Sequence, residues 1–175
     1  KLPDAVKGDS SNEIKAKLKG RRDNLVKIAE RYYSYLAELA IVTGTDKDDY
    51  SEVERMENGK TKITISRIKG GEKADVVSEK LYDRKNTKEI WLYGLDDDDY
   101  FNVRGKGDNP IYIRIIGGQD HDKFNIEKGR RVTIYDYKSK PNTIIRKGNA
   151  KVRFTDTYEV NSFDKNKEIV TKNSL

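Results

Sequence analysis

Carboxylates recur in this chain at a spacing that would suit a hard cation. Four segments share the pattern: Gly44-Thr-Asp-Lys-Asp-Asp49-Tyr-Ser51, Gly70-Gly-Glu-Lys-Ala-Asp75-Val-Val77, Gly94-Leu-Asp-Asp-Asp-Asp99-Tyr-Phe101 and Gly117-Gly118-Gln-Asp120-His-Asp122-Lys-Phe124. Each places an Asp five residues after a Gly and a packing position two residues beyond that. The Gly-to-Gly steps are 26, 24 and 23 residues. Ca²⁺ takes roughly six to eight oxygens from carboxylates and backbone carbonyls. A tight Gly loop turns carbonyls inward, and an Asp just after it can reach the same point. The candidate ligands are Asp49, Asp97, Asp99, Asp120 and Asp122, with carbonyls of the loops opened by Gly44, Gly70, Gly94, Gly117 and Gly118. Stacked carboxylates repel one another, and a cation would relieve that. The competing reading is structural. Asp side chains accept from nearby backbone N–H groups and stabilise turns, so a stacked Asp ladder can hold a corner with no metal.

The elements that must position these residues follow from hydrophobic period. A repeat of ~20–50 residues signals stacked units, each burying its apolar face against its neighbours. Period-two alternation marks strands around Ile63/Ile65, Ile90/Leu92, Ile111/Ile113/Ile115 and Val132/Ile134. Short second strands follow the loops at Phe101-Asn-Val103 and Phe124-Asn-Ile126. A shift of 23 superposes Ile90 on Ile113, Leu92 on Ile115, Phe101 on Phe124 and Val103 on Ile126. A degenerate fifth unit places Asn142-Thr-Ile144 where Asp-x-Phe stood, and residues 150–163 read as further strand. Constant register favours a short parallel β-solenoid of four or five right-handed rungs. An antiparallel sandwich of hairpins is the other geometry.

Before the repeats, Ser10-Ser11-Asn12-Glu13 has the form of a capping box. Ile14, Leu18, Arg21, Leu25, Ile28, Tyr32, Tyr35 and Leu39 then step by four and three, one face of a helix with Gly20 as a candidate break. That stripe would dock on the following domain; a heptad of this length would also suit dimerisation. The expected organisation is therefore a flexible lead-in at 1–9, a helical segment at 10–40, a β-repeat domain at 41–163 and a polar, disordered tail at 164–175. The fold class expected is mainly β, a solenoid with the N-terminal helix packed on it.

Composition narrows the function. The 175 residues are 34% hydrophobic and 38% charged, which suits a thin, elongated core. No cysteine is present, so disulfides and thiolate metal sites are excluded. No apolar run approaches a membrane span of ~18 residues. The chain opens at Lys1 with neither Met nor a signal-peptide pattern, which reads as a piece or processed form of something longer. The net charge of +6 comes from 36 basic and 30 acidic residues that are interleaved. Arg130-Arg131 and Lys138-Ser-Lys140 are too sparse to indicate nucleic acid.

Two resemblances attach to these motifs. The loops resemble the haemolysin-type (RTX-like) repeat Gly-Gly-x-Gly-x-Asp-x-hydrophobic of calcium-binding β-rolls. Gly117-Gly118 with Asp122 and Phe124 matches at four positions and departs at Asp120, where the family has a third glycine. Gly70-Gly71 with Asp75 and Val77 departs at Lys73; Gly94 with Asp99 and Phe101 keeps one glycine. The family repeats about every nine residues, against ~24 here, so only one edge would carry metal. More broadly, the helix, Gly-Thr-Asp-Lys-Asp-Asp-Tyr, Tyr-Gly-Leu-Asp-Asp-Asp-Asp-Tyr-Phe, Ile-Gly-Gly-Gln-Asp-His-Asp and Ile-Tyr-Asp-Tyr-Lys-Ser-Lys are similar to a connecting region of large Gram-negative envelope proteins. In those, a calcineurin-like phosphoesterase domain precedes and a surface-antigen outer-membrane barrel follows. The resemblance implies a soluble piece between such flanking domains, in the periplasm or at the cell surface.

Catalytic signals are weak. His121 is the single histidine and lies in an acidic loop. No nucleophile motif or phosphate loop occurs. Asp96 and Asp99 could mimic a glycosidase pair. Trp91, Tyr93, Tyr112 and Tyr135 fall on strands; either the helix covers that face or it is a glycan- or peptide-binding platform. The function expected is a non-catalytic structural or interaction module of an envelope protein, stiffened by Ca²⁺. The alternatives are a polyanion- or glycan-binding module and a carboxylate-dependent glycosidase.

Overall fold

A computed structural model describes residues 8–163. Residues 1–7 of the lead-in expected at 1–9, and the tail at 164–175, lie outside these; Asp9 already belongs to the helix. The chain divides into a helical unit ending at Ala37 and a β unit beginning at Glu38.

The helical unit is one 29-residue helix, α1 (Asp9–Ala37). It starts slightly earlier than the capping box implied. The Gly8 carbonyl accepts from the N–H groups of Ser11 (2.9 Å) and Asn12 (3.3 Å), closing the first turn there. Gly20 does not break it: Asn24 Nδ2 donates to the Gly20 carbonyl at 2.8 Å, and the helix runs through at a cost of ~1 kcal/mol relative to Ala. Leu39 leaves the helical stripe. The Glu38 carbonyl accepts from the N–H groups of Lys88 (2.8 Å) and Glu89 (3.0 Å), which draws the chain into a strand at Leu39.

The β unit is two sheets between which the chain alternates. One sheet contains β1 (Leu39–Thr43), β5 (Glu89–Leu95), β7 (Tyr112–Gly118), β9 (Val132–Asp136) and β11 (Lys151–Phe154), in that order and all parallel. The other contains β10 (Thr143–Arg146), β8 (Lys123–Ile126), β6 (Tyr100–Gly105), β2 (Asp49–Arg55), β3 (Lys60–Lys69) and β4 (Glu72–Asp83). Here β10, β8, β6 and β2 are parallel, and β3 and β4 add antiparallel. Each new strand lies beside its counterpart from the preceding circuit.

The register matches the shift of 23 read from the sequence. Ile90 pairs with Ile113, Leu92 with Ile115, Phe101 with Phe124 and Val103 with Ile126. Like residues therefore stack on like: the Phe101 and Phe124 rings lie 5.2 Å apart and 8° from parallel. Ile90, Leu92, Ile113, Ile115 and Ile134 meet Val53, Phe101, Val103, Phe124 and Ile126 in one core.

Two local expectations fail. The Gly70 segment is not a member of the parallel series. Gly70 and Gly71, at φ +62° and +83°, make the turn of the β3–β4 hairpin, and Asp75 is exposed and paired with Lys69. The left-handed backbone asks for glycine there. The hairpin is an insertion, so the first circuit spans 50 residues, as Tyr50 opposite Tyr100 shows. Residues around Tyr158 form a short helix, α2 (Tyr158–Asn161), instead of a strand.

Trp91, Tyr93, Ile116 and Tyr135 form a second, smaller core on the outer face of the all-parallel sheet, with Val160 and Phe163 against it. Glu89 accepts from Trp91 Nε1 (2.7 Å) and Arg114 Nε (2.6 Å), and Arg114 also donates to the Tyr135 hydroxyl. These aromatics are buried and do not present an open platform.

Candidate functional site

Parallel stacking brings the Gly/Asp loops together at one end of the β unit. Asp49, Asp99 and Asp122 sit at or just before the start of a strand in the mixed sheet, and the side chains of Asp99 and Asp122 reach a neighbouring circuit. Asp99 Oδ1 accepts from the backbone N–H of Asp49 at 2.9 Å, and Asp122 Oδ1 from that of Asp99 at 3.0 Å. Asn142 Oδ1 accepts from the N–H of Asp122 at 3.0 Å. This is one ladder of Asp49, Asp99, Asp122 and Asn142. A second ladder runs the other way beside it. Asp48 Oδ1 accepts from the N–H of Asp98 (3.3 Å), and Asp98 Oδ1 from the N–H of His121 (3.2 Å).

The glycines make room for the carboxyls. A methyl group on Gly94 would lie 2.1 Å from Asp99 Oδ2 and 2.3 Å from the Gly117 carbonyl oxygen. One on Gly117 would lie 2.2 Å from Asp136 Oδ2 and 2.3 Å from Asp122 Oδ2. Space, not backbone angle, selects glycine at these two positions. Gly44 is looser, with the Gly94 carbonyl oxygen at 2.7 Å from such a methyl.

Asp136 was not among the residues singled out by spacing, yet it completes the site. The pairing of Ile116 with Tyr135 puts it in the column of Gly117. There the repeat has lost its glycine, and the replacement carboxyl folds back over Gly117. An Asp standing in a glycine column was the available signal.

Charge compensation is uneven along the ladder. Asp49 is paired with Arg67 Nη1 at 3.0 Å and accepts from the Thr45 N–H through Oδ2 at 2.5 Å. Arg67 also reaches the Thr45 hydroxyl. Asp99, Asp122 and Asp136 are buried; with all three ionised the Oδ2 of each would be without a hydrogen-bond partner, whereas a proton lets the Asp122 and Asp136 carboxyls bond each other. Burial pushes the Asp99 carboxyl up to about 9, with Asp49, Asp48 and Asp97 adding to the rise. Burial also raises Asp122, and the Asp136 carboxyl beside it raises it further. Asp136 is raised by burial, against the opposing pull of the Tyr137 N–H. The facing Asp122 and Asp136 carboxyls, both buried, are held most simply by a proton between them.

The remaining candidates lie elsewhere in the loops. Asp97 is half-buried with Lys47 Nζ 3.8 Å away; Asp120 is exposed. Both occupy the left-handed region, at φ +65° and +67°. Gly118, at φ +121°, stands where Leu95 adopts φ +95° one circuit earlier. His121 Nε2 is 2.8 Å from the Thr143 hydroxyl. Among the described residues, no group of three or more His, Asp or Glu side chains is placed to hold one metal ion. Asp96 is exposed whereas Asp99 is buried, so that pair does not present two carboxyls to a substrate. The adjoining cleft, lined by Asp46, Tyr93, Asp96, Gln119 and Phe163, has a volume of about 210 Å³. Small-molecule sites usually exceed ~300 Å³.

No protein-family model, curated protein or solved structure matches the chain.

Two outcomes follow. Gly117→Ala should destabilise by ~3 kcal/mol, the upper end of the usual overpacking cost, because both carboxyls it meets are buried and held. Gly70→Ala, with open space but a left-handed backbone, should cost only ~1–2 kcal/mol; urea unfolding of both variants checks the order. The second outcome concerns pH. A carboxyl whose pKa is raised on folding holds its proton more tightly folded than unfolded. Its stabilising contribution is full below the ordinary Asp range and is lost as pH rises through the folded value, about 9 for Asp99. Asp99→Asn keeps the Oδ1 acceptor and removes the titration. Its unfolding midpoint should therefore fall less than the parent's as pH rises from about 5 to 9.5, and a parallel decline in both would refute the assignment.

Proposed function

We infer that this chain is a non-catalytic structural and interaction module, a short parallel β-solenoid whose stacked Asx ladder sets its circuits in register. The observation that carries the reading is the commitment of the Asp99, Asp122 and Asn142 side-chain oxygens to backbone N–H groups of neighbouring circuits. The alternation of strands between the two sheets also supports it. Side chains spent in this way act on the fold rather than on a substrate. On the resemblance of its loops to a connecting region of envelope proteins, the module belongs between flanking domains of such a protein, in the periplasm or at the cell surface. Among the described residues no helix is long and apolar enough to cross a membrane.

A Ca²⁺-stabilised version is favoured by one feature, the unpartnered Oδ2 atoms of Asp99, Asp122 and Asp136. Asp99 and Asp122, with loop carbonyls, would be its ligands. In the principal reading a proton does that work. A polyanion-binding role is favoured by the opposite end of the β unit, whose loops carry Arg84, Lys85, Lys88, Lys106, Arg130 and Arg131. There a hollow of about 390 Å³ is lined in part by Arg84, Lys85 and Lys88.

Thermal unfolding after exhaustive chelation, with Ca²⁺ or Mg²⁺ added back, separates proton from cation. The proton-held ladder predicts no shift with Ca²⁺. A ligand at ~100 times its Kd adds about 2.7 kcal/mol, so a rise of several degrees with Ca²⁺ alone would replace the proton by the metal. For the basic end, binding to an acidic polysaccharide should weaken steeply with salt and be reduced by Arg130→Glu. Salt-independent binding would remove the charge-driven version.

A further inference from the structure

The apolar stripe of α1 is exposed. Ile14, Leu18, Leu25, Ile28, Tyr32 and Tyr35 each leave more than half of their surface open. A helix draws most of its stability from burying such a face, so the stripe calls for a partner. Its spacing says which kind. Steps of four and three average 3.5 residues, the period of a coiled-coil seam. With Leu18, Leu25 and Tyr32 at a, the d positions are Ile14, Arg21, Ile28 and Tyr35.

Charge then decides between partners. The positions flanking the seam carry Lys15, Arg22, Ala29 and Leu36 at e, and Lys17, Asn24 and Arg31 at g: four cations and no acid. Acidic residues of the helix lie away from the seam: Glu13 at c, Asp23 and Glu30 at f. A second copy of this chain supplies no opposite charge to these cations in either orientation. Parallel packing sets Lys17 against Arg22 and Arg21 against its own copy. Antiparallel packing sets Arg22 against its own copy and Lys17 against Arg31 in one register, and sets the cations against Leu36, Ala29 and Asn24 in the next; an acidic partner alone pairs them all. The contacts these cations make on α1 itself are exposed and weak: Lys17 to Glu13 at 2.6 Å, Arg22 to Asp23 at 2.9 Å and Arg31 over the Tyr35 ring. They are free to be exchanged for contacts with another chain. A membrane surface is a poorer fit, because Arg21 interrupts the apolar stripe near its middle.

The geometry points to α1 as one strand of a heteromeric coiled coil, whose partner is a helix with apolar a and d residues and acidic e and g residues. A carboxylate at the partner's position facing Arg21 completes the match.

The test uses the full chain and two synthetic three-heptad peptides with Leu and Ile in the seam, one with Glu at e and g and one with Lys. Sedimentation should find the chain monomeric alone. Titration should find one Glu peptide per chain, bound at least ~10-fold more tightly than the Lys peptide. The variant Arg22→Glu/Arg31→Glu, altered only on the exposed surface, should reverse that preference. Self-association without peptide, equal binding of both peptides, no binding of the Glu peptide, or an unchanged preference in the variant would each overturn the assignment. So would binding to phosphatidylglycerol vesicles in place of the Glu peptide.

Discussion

The β unit depends on one contact repeated: an Asx side-chain oxygen, laid over a glycine, accepting the backbone N–H of a neighbouring circuit. At the corners between sheets the backbone ladder is interrupted, and buried N–H groups there need another acceptor. A short side chain with an oxygen two bonds from Cβ fits that gap. It fits only if the adjacent column has no Cβ, which ties Gly94 to Asp99 and Gly117 to both Asp122 and Asp136. With the corners fixed, the strands on either side fall into register, and Ile lands on Ile and Phe on Phe.

The same contact creates an electrostatic problem that the chain handles differently along its length. At the first circuit Arg67 reaches in from β3 to neutralise Asp49. At the last, the ladder ends in Asn142, which accepts without charge. Between them Asp99, Asp122 and Asp136 have neither device, and burial favours their neutral forms. A buried carboxylate without a partner would cost far more than a buried acid. The inserted hairpin therefore has an electrostatic role: it delivers Arg67 to the one rung that is ion-paired.

Much of the architecture was legible because stacking repeats the pattern of contacts in the pattern of residues. The shift of 23 gave correct partners for Ile90, Leu92, Phe101 and Val103, and Asn142 was found in its proper place. The hairpin was not legible as an insertion. Gly70-Gly71 with Asp75 copies the local spacing of the corner loops, and only long-range pairing distinguishes a turn from a corner. Leu39 continued the helical stripe by spacing, but hydrogen bonds to the Glu38 carbonyl from residues fifty positions away end the helix first. At the site, Asp49, Asp99 and Asp122 were identified and do stack. Asp136 escaped because it follows the position of a glycine rather than of an Asp. Asp97 and Asp120 share the composition of the loops but occupy their left-handed positions instead of the ladder.

The circuit from Gly94 to Gly117 is complete in itself: one strand for each sheet, one corner glycine and one ladder residue. Its boundaries on both sides present the same chemistry, so a duplicate spliced between them would find a donor on one face and an acceptor on the other. Neighbouring strands in a sheet are ~4.8 Å apart. The length of such a β unit is thus counted in whole steps of that size. A gene can lengthen or shorten it as a ruler is cut at its marks, with a block of 23 codons as the unit of change.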